Sequence, residues 1–141
     1  MSEAGSRTVT ARTEPGSLTT AVNARGHRLV ADEPEDKGGK DEGFTPGEMV
    51  AGALASCTTI TMRMYADHKG WPLAAVEVQV EVIPGRPADG PGRPLPRLRR
   101  TLHIEGDLDE AQMARMRQVA DRCPVHRQLE KGIEIVTELA D

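Results

Sequence analysis

The sequence predicts an α+β domain, and three features of the 141-residue chain predict it. Short β-branched runs cluster before residue 35, one long uncharged run with helical signals occupies the middle, and strictly alternating valines follow it. The order strands, helix, strands, helix, strand suits antiparallel sheets packed on a long buried central helix. A chain of this length is expected to form one domain, residues 1–141, with a single hydrophobic core.

The first segment carries RTVTART and SLTTAV, separated by Pro15-Gly16, and then HRLVADEP, which ends at a proline. These runs predict a small antiparallel sheet. EDKGGKDEG, residues 35–43, has three glycines, six charges and no periodicity, which predicts a solvent-facing loop. The central helix then has a marked start. Thr45 is a good N-cap, Pro46 suits the first helical position, and Glu48 completes a T-x-x-E capping box. Its end is set by Gly70 and by Pro72 two residues later. From Met49 to Met62 the run is uncharged, roughly 21 Å of helix against about 30 Å for a bilayer core. It therefore reads as a buried soluble helix, thinned by Ala51, Gly52, Ala53, Ala55 and Ser56 so that its neighbours approach closely.

AVEVQVEV, residues 75–82, puts Val76, Val78, Val80 and Val82 on one face of a half-buried strand. LRRTLHI resumes a strand after the Pro/Gly-rich residues 83–96, which predicts a long-tipped hairpin. GDLDEAQMARMRQVADRC is an amphipathic helix with an expected capping box at Asp107 and Glu110, and with Met113, Met116, Val119, Ala120 and Cys123 facing inward. Pro124 starts a short helix, PVHRQLE, and IEIVTEL is expected to close the fold as a strand.

Composition narrows the function classes. Net charge is −4, and Lys and Arg are scattered apart from Arg97, Arg99 and Arg100. With aromatics at 2%, the chain has neither a basic face nor a stacking row, so nucleic acid is not an expected partner. No secretory signal is legible at the N-terminus and no membrane segment elsewhere, which predicts a cytoplasmic protein. Two cysteines, Cys57 and Cys123, are too few for a disulfide scaffold.

The two thiols are the chemistry worth weighing. Each has a plain reading as a small buried hydrophobe. Yet both face inward on the two strongest helices, and Cys123 is placed to N-cap the helix begun by Pro124, where free N–H groups favour a thiolate. His126, three residues on, can add charge or accept a proton. No metal or other cofactor is expected, because Cys123 and His126 lack the second close pair that structural zinc requires. Glu48, about 13 Å before Cys57 along a straight helix, is first a capping residue.

Residues 31–73, ADEPEDKGGKDEGFTPGEMVAGALASCTTITMRMYADHKGWPL, and residues 106–130, GDLDEAQMARMRQVADRCPVHRQLE, resemble the OsmC and Ohr proteins, osmotically inducible protein C and organic hydroperoxide resistance protein. The paired motifs are a P-x-E helix start with a cysteine 11 residues after its proline, and a later Cys-Pro-Val-His. The resemblance implies an OsmC-like fold, antiparallel sheets wrapped around the central helix in an intertwined homodimer with sites at the subunit interface. It also implies a thiol peroxidase acting on organic hydroperoxides in oxidative-stress defence. Cys57 would be oxidised to a sulfenic acid that Cys123 resolves as a disulfide, and a dithiol such as a lipoyl group would restore both thiols. In the hydroperoxide-resistance branch an acidic residue directly after the helix proline helps fix an activating arginine. Here Gly47 holds that place and Glu48 follows, while Arg12, on a predicted strand, is the candidate arginine. The D-E-P and G-W-P-L motifs resemble the OsmC-like branch more closely. The alternative expectation is a non-catalytic small-molecule binding or redox-sensing protein.

Overall fold

The computed structural model describes residues 5–85 and 95–140. It divides into two compact units, Met1–Val50 and Ala51–Asp141, the division falling within one helix. Residues 86–94 of the predicted Pro/Gly loop lie outside the described residues.

In the first unit β1 (Thr10–Thr13), β2 (Thr20–Ala24) and β3 (His27–Ala31) form an antiparallel sheet in the order β1-β2-β3. Two tight pairings fix the register, Arg12 opposite Ala21 and Val22 opposite Leu29. The loop that follows is more ordered than its charge suggests. Asp32 is buried, and its carboxylate accepts from the Thr19 hydroxyl at 2.9 Å and from the N–H groups of Glu33, Lys40 and Glu42 at 2.8, 3.4 and 3.2 Å. Burial raises the carboxyl pKa, but these four donors outweigh it and hold the group below its ordinary range. Gly39 lies so close to this turn that a Cβ there would collide with the Glu33 carbonyl.

Helix α1 (Pro46–Lys69) starts as its sequence predicts. Thr45 N–H donates to Glu48 at 2.9 Å and Glu48 N–H to the Thr45 hydroxyl at 3.1 Å, closing the capping box. Its end is equally local: Gly70 takes φ +69, a left-handed conformation that lets Trp71 N–H reach back to the Ala66 carbonyl at 2.9 Å.

In the second unit β4 (Leu73–Ile83) pairs antiparallel with β5 (Arg97–Gly106). Val76, Val78 and Val80 stand opposite Ile104, Leu102 and Arg100 on the more buried face. Helices α2 (Glu110–Ala120) and α3 (Pro124–Lys131) follow. The capping box of α2 uses Asp109 and Gln112 rather than Asp107 and Glu110. Two D-x-x-[EQ] patterns overlap two residues apart, and here the later one closes, with N-H contacts of 2.8 and 2.9 Å. The core joins Met62 and Ala66 of α1, Leu73 of β4, and Met116, Val119 and Ala120 of α2, flanked by Val76, Leu102 and Ile104. Full burial of each large apolar side chain contributes about 1.5–3 kcal/mol. Arg63 fastens α1 to the start of β4 by donating to the carbonyls of Leu73 and Ala74 at 2.8 and 2.9 Å.

Three further expectations change. Helix α1 buries one stripe, Ala51, Leu54, Thr58, Met62 and Ala66, while Val50, Ile60 and Met64 stay exposed, so a single chain does not wrap it on most sides. Met113 faces a cavity and is partly exposed, unlike Met116 a turn later. The predicted closing strand is absent: residues 133–140 pair with no strand among the described residues, and Ile135 and Leu139 are 84% and 99% exposed. Alternation signals an apolar edge, but a strand also needs a partner for its hydrogen bonds.

Candidate functional site

The two cysteines meet in the second unit. Cys57 lies in the fourth turn of α1, part-buried, and Cys123 is fully buried at the N-cap of α3. Pro124 explains the second placement. It ends the hydrogen-bonding of the preceding turn, begins α3 with a preset φ, and leaves the N–H groups of Val125 and His126 free to point back at sulfur. The His126 N–H donates to Cys123 Sγ at 3.5 Å.

The environment treats the thiols differently. Burial raises the Cys57 pKa, but hydrogen bonding with the Cys123 thiol, the Val125 N–H and the Thr61 hydroxyl, 4.0 Å away, brings it below the ordinary thiol value. For Cys123, burial and the adjoining Cys57 sulfur push the pKa up, against the opposing N–H groups of His126 and Val125. The N-cap position alone predicts a thiolate at Cys123; in the fold the Val125 N–H acts on both sulfurs, Cys123 is the more buried, and Cys57 is the thiol favoured to ionise. A thiolate that accepts from a neighbouring thiol is a nucleophile with its disulfide partner already in contact.

Around this pair runs a polar network whose hub the sequence reading missed. Arg100, at an inward-facing position of β5 with its side chain 12% exposed, donates to Thr58 Oγ1 at 3.2 Å, to Asp121 Oδ1 at 2.9 Å and to His126 Nδ1 at 3.0 Å. A guanidinium cannot accept, so His126 is unprotonated at Nδ1 and directs its Nε2–H toward Glu130 Oε2, 3.3 Å away. The legible signal was the alternation of L-R-R-T-L-H-I, which puts Arg100 among Leu98, Leu102 and Ile104 rather than with exposed Arg97 and Arg99.

Two other expected site residues, Glu48 and Arg12, belong to the first unit. Glu48 is engaged by the cap at Thr45, and Arg12 pairs with Glu14 at an exposed end of β1. A cavity of about 590 Å³ is lined by Leu54, Leu102, Ile104 and Met113, with Arg100 and His126 at its polar side. Neither sulfur is among its lining residues. Among the described residues no cluster of three or more His, Cys, Asp or Glu is arranged to hold a metal ion, and no helix is long and apolar enough to cross a membrane.

The comparisons agree with this architecture. The family described as OsmC-like protein matches residues 39–138. A putative osmotic stress induced and detoxification response protein from Psychrobacter arcticus superposes with TM-score 0.72 at 24% identity, covering 91% of each chain. An OsmC-like protein from Mycoplasma pneumoniae gives TM-score 0.76 at 20% identity, covering 91% of this chain and 89% of its own. An organic hydroperoxide resistance protein OsmC from Legionella pneumophila, also described as a predicted redox protein, gives 0.64 at 19% identity over 91% of both chains. A search among curated proteins found no match. At these identities the solved structures attest the fold, while the family match spans well over half of the chain, including both cysteines. The chain is therefore a member of the OsmC-like protein family.

Proposed function

We propose that this protein is a two-cysteine peroxidase that reduces organic hydroperoxides. The observation that carries the reading is the Cys57–Cys123 contact, with the more exposed thiol favoured as thiolate and the buried one as its proton-bearing partner. Membership in the OsmC-like family and similarity to a hydroperoxide resistance protein support the substrate class.

The chemistry follows from that contact. Cys57 thiolate attacks the distal peroxide oxygen; an S–O bond forms, the O–O bond breaks, and the alkoxide leaves as the alcohol after taking a proton. Sulfur is oxidised by two electrons and the hydroperoxide is reduced. Cys123, deprotonated, then attacks the Cys57 sulfenic sulfur; the S–S bond forms and hydroxide leaves as water. A small-molecule or lipoyl-type dithiol restores both thiols by exchange and is itself oxidised to a disulfide. Resolution by Cys123 protects Cys57 from the irreversible sulfinic state.

The protein acts as an intertwined homodimer, a single OsmC-like domain per chain, in the cytoplasm. Exposed Ile60 and Met64 on α1, with Ile133, Ile135, Val136 and Leu139 beyond α3, support burial against a second copy. One observation favours a non-catalytic binding or redox-sensing role instead: the cavity is lined by neither sulfur. The deciding assay follows hydroperoxide consumption with dihydrolipoamide as reductant. Turnover that is lost in both Cys57→Ser and Cys123→Ser supports the peroxidase. Absence of turnover in the wild type, with a stoichiometric oxidation at most, favours sensing or binding.

A further inference from the structure

We propose that Arg100 is a positioning residue for the thiol pair, a clamp that ties the helix bearing Cys57 to both sides of the turn bearing Cys123. Its three acceptors bracket the sulfurs in sequence. Thr58 directly follows Cys57, Asp121 lies two residues before Cys123, and His126 lies three after it. His126 also supplies the N–H that caps Cys123, so the ring held by Arg100 and the amide held by sulfur belong to one residue.

Burial makes the arrangement costly to keep without a purpose. An arginine at an apolar strand position must be paired on most of its N–H groups, because an unpaired buried cation is strongly destabilising. Arg100 meets that demand with acceptors from α1, from the residue ending α2 and from α3, the three segments that set where the sulfurs stand. The planar fork spreads these bonds over two nitrogens, Nη1 on Thr58 and Nη2 on Asp121 and His126, a span that the single nitrogen of lysine lacks. Asp121 also pairs with Arg117 at 3.6 Å, and Glu130 lies 3.3 Å from the far side of His126, so the titratable groups facing the clamp are Asp121, Arg117, Glu130 and the His126 imidazole. The recorded partners of Arg100 are Thr58, Asp121 and His126, so its action on the thiols runs through the placement of the segments that carry them.

This proposal rests on the thiols being a redox pair, and its first readout is independent of peroxide. Reduced wild type, Arg100→Gln and Arg100→Lys are alkylated with iodoacetamide across pH, with the two cysteines resolved by peptide mass. In the wild type Cys57 is expected to be alkylated ahead of Cys123. Loss of the clamp is expected to reduce that preference about tenfold in Arg100→Gln, the factor corresponding to one typical hydrogen bond, with Arg100→Lys between the two. Diamide-driven closure of the disulfide is expected to slow by a similar factor. A folded Arg100→Gln with unchanged preference and unchanged closure overturns the proposal. If that variant does not fold, Arg100→Lys decides on the same two readouts. A weakened preference in a protein that never reacts with hydroperoxide upholds the clamp and defeats the peroxidase reading.

Discussion

Thr58→Val is the most informative single substitution in the second unit. Thr58 is 0% exposed, its hydroxyl donates to the Leu54 carbonyl at 2.7 Å and accepts from Arg100 Nη1 at 3.2 Å. Valine keeps the volume and the β-branch, so no cavity term enters, and the Leu54 carbonyl remains in the helix ladder. The loss is the acceptor for a charged donor, about 1.5–3 kcal/mol. The upper end applies if Nη1 stays dry and the lower if water from the adjoining cavity reaches it. At about 2–4 °C per kcal/mol for a chain of this size, the melting midpoint should fall by roughly 3–12 °C. Urea unfolding with an unchanged m-value measures it directly. A cycle with Arg100→Met should return a coupling of about 0.5–3 kcal/mol, because the double variant loses the same bond only once. A Thr58→Val protein within about 0.5 kcal/mol of wild type, with no coupling to Arg100→Met, would refute the network as a stabilising unit.

Met62→Ala empties a fully buried site at the centre of the core and should cost about 2–5 kcal/mol in urea unfolding. Asp32→Asn tests the first unit. Because the folded carboxyl is held below its ordinary value, its contribution is present above the ordinary carboxylate range and is lost as pH falls through the lowered folded value. The variant should be less stable near neutrality and lose that part of the acid dependence, read from melting midpoints between pH 3 and 7. In the reduced protein Cys57 should be alkylated at a lower pH than Cys123, since iodoacetamide reacts with the thiolate and only Cys57 is shifted down. Competitive alkylation with isotopic reagents gives the order.

Much of the fold was legible where a local rule and a tertiary contact agree. Thr45, Pro46, Glu48 and Gly70 bound α1 because caps satisfy backbone groups within a few residues, and the valines of β4 find the apolar alternation of β5 opposite them. Cys123 at the N-cap of α3 was legible for the same reason, through Pro124. Partner-dependent features were not. Ile133 to Leu139 has strand periodicity, yet nothing in one chain says which edge receives it. The sign of the thiol asymmetry depends on two cysteines 66 residues apart drawing on the same Val125 N–H and on each other. Arg100 looked like one of three neighbouring surface arginines, because charge hides an inward-facing position until the strand's register is known.

The most direct test of the central claim is the mass of the reduced protein before and after one equivalent of cumene hydroperoxide, with free thiols trapped by alkylation. The expected result is a rapid loss of two hydrogen atoms, mapped by peptide mass to a Cys57–Cys123 bridge. Two thiols that remain fully alkylatable after prolonged exposure would contradict it.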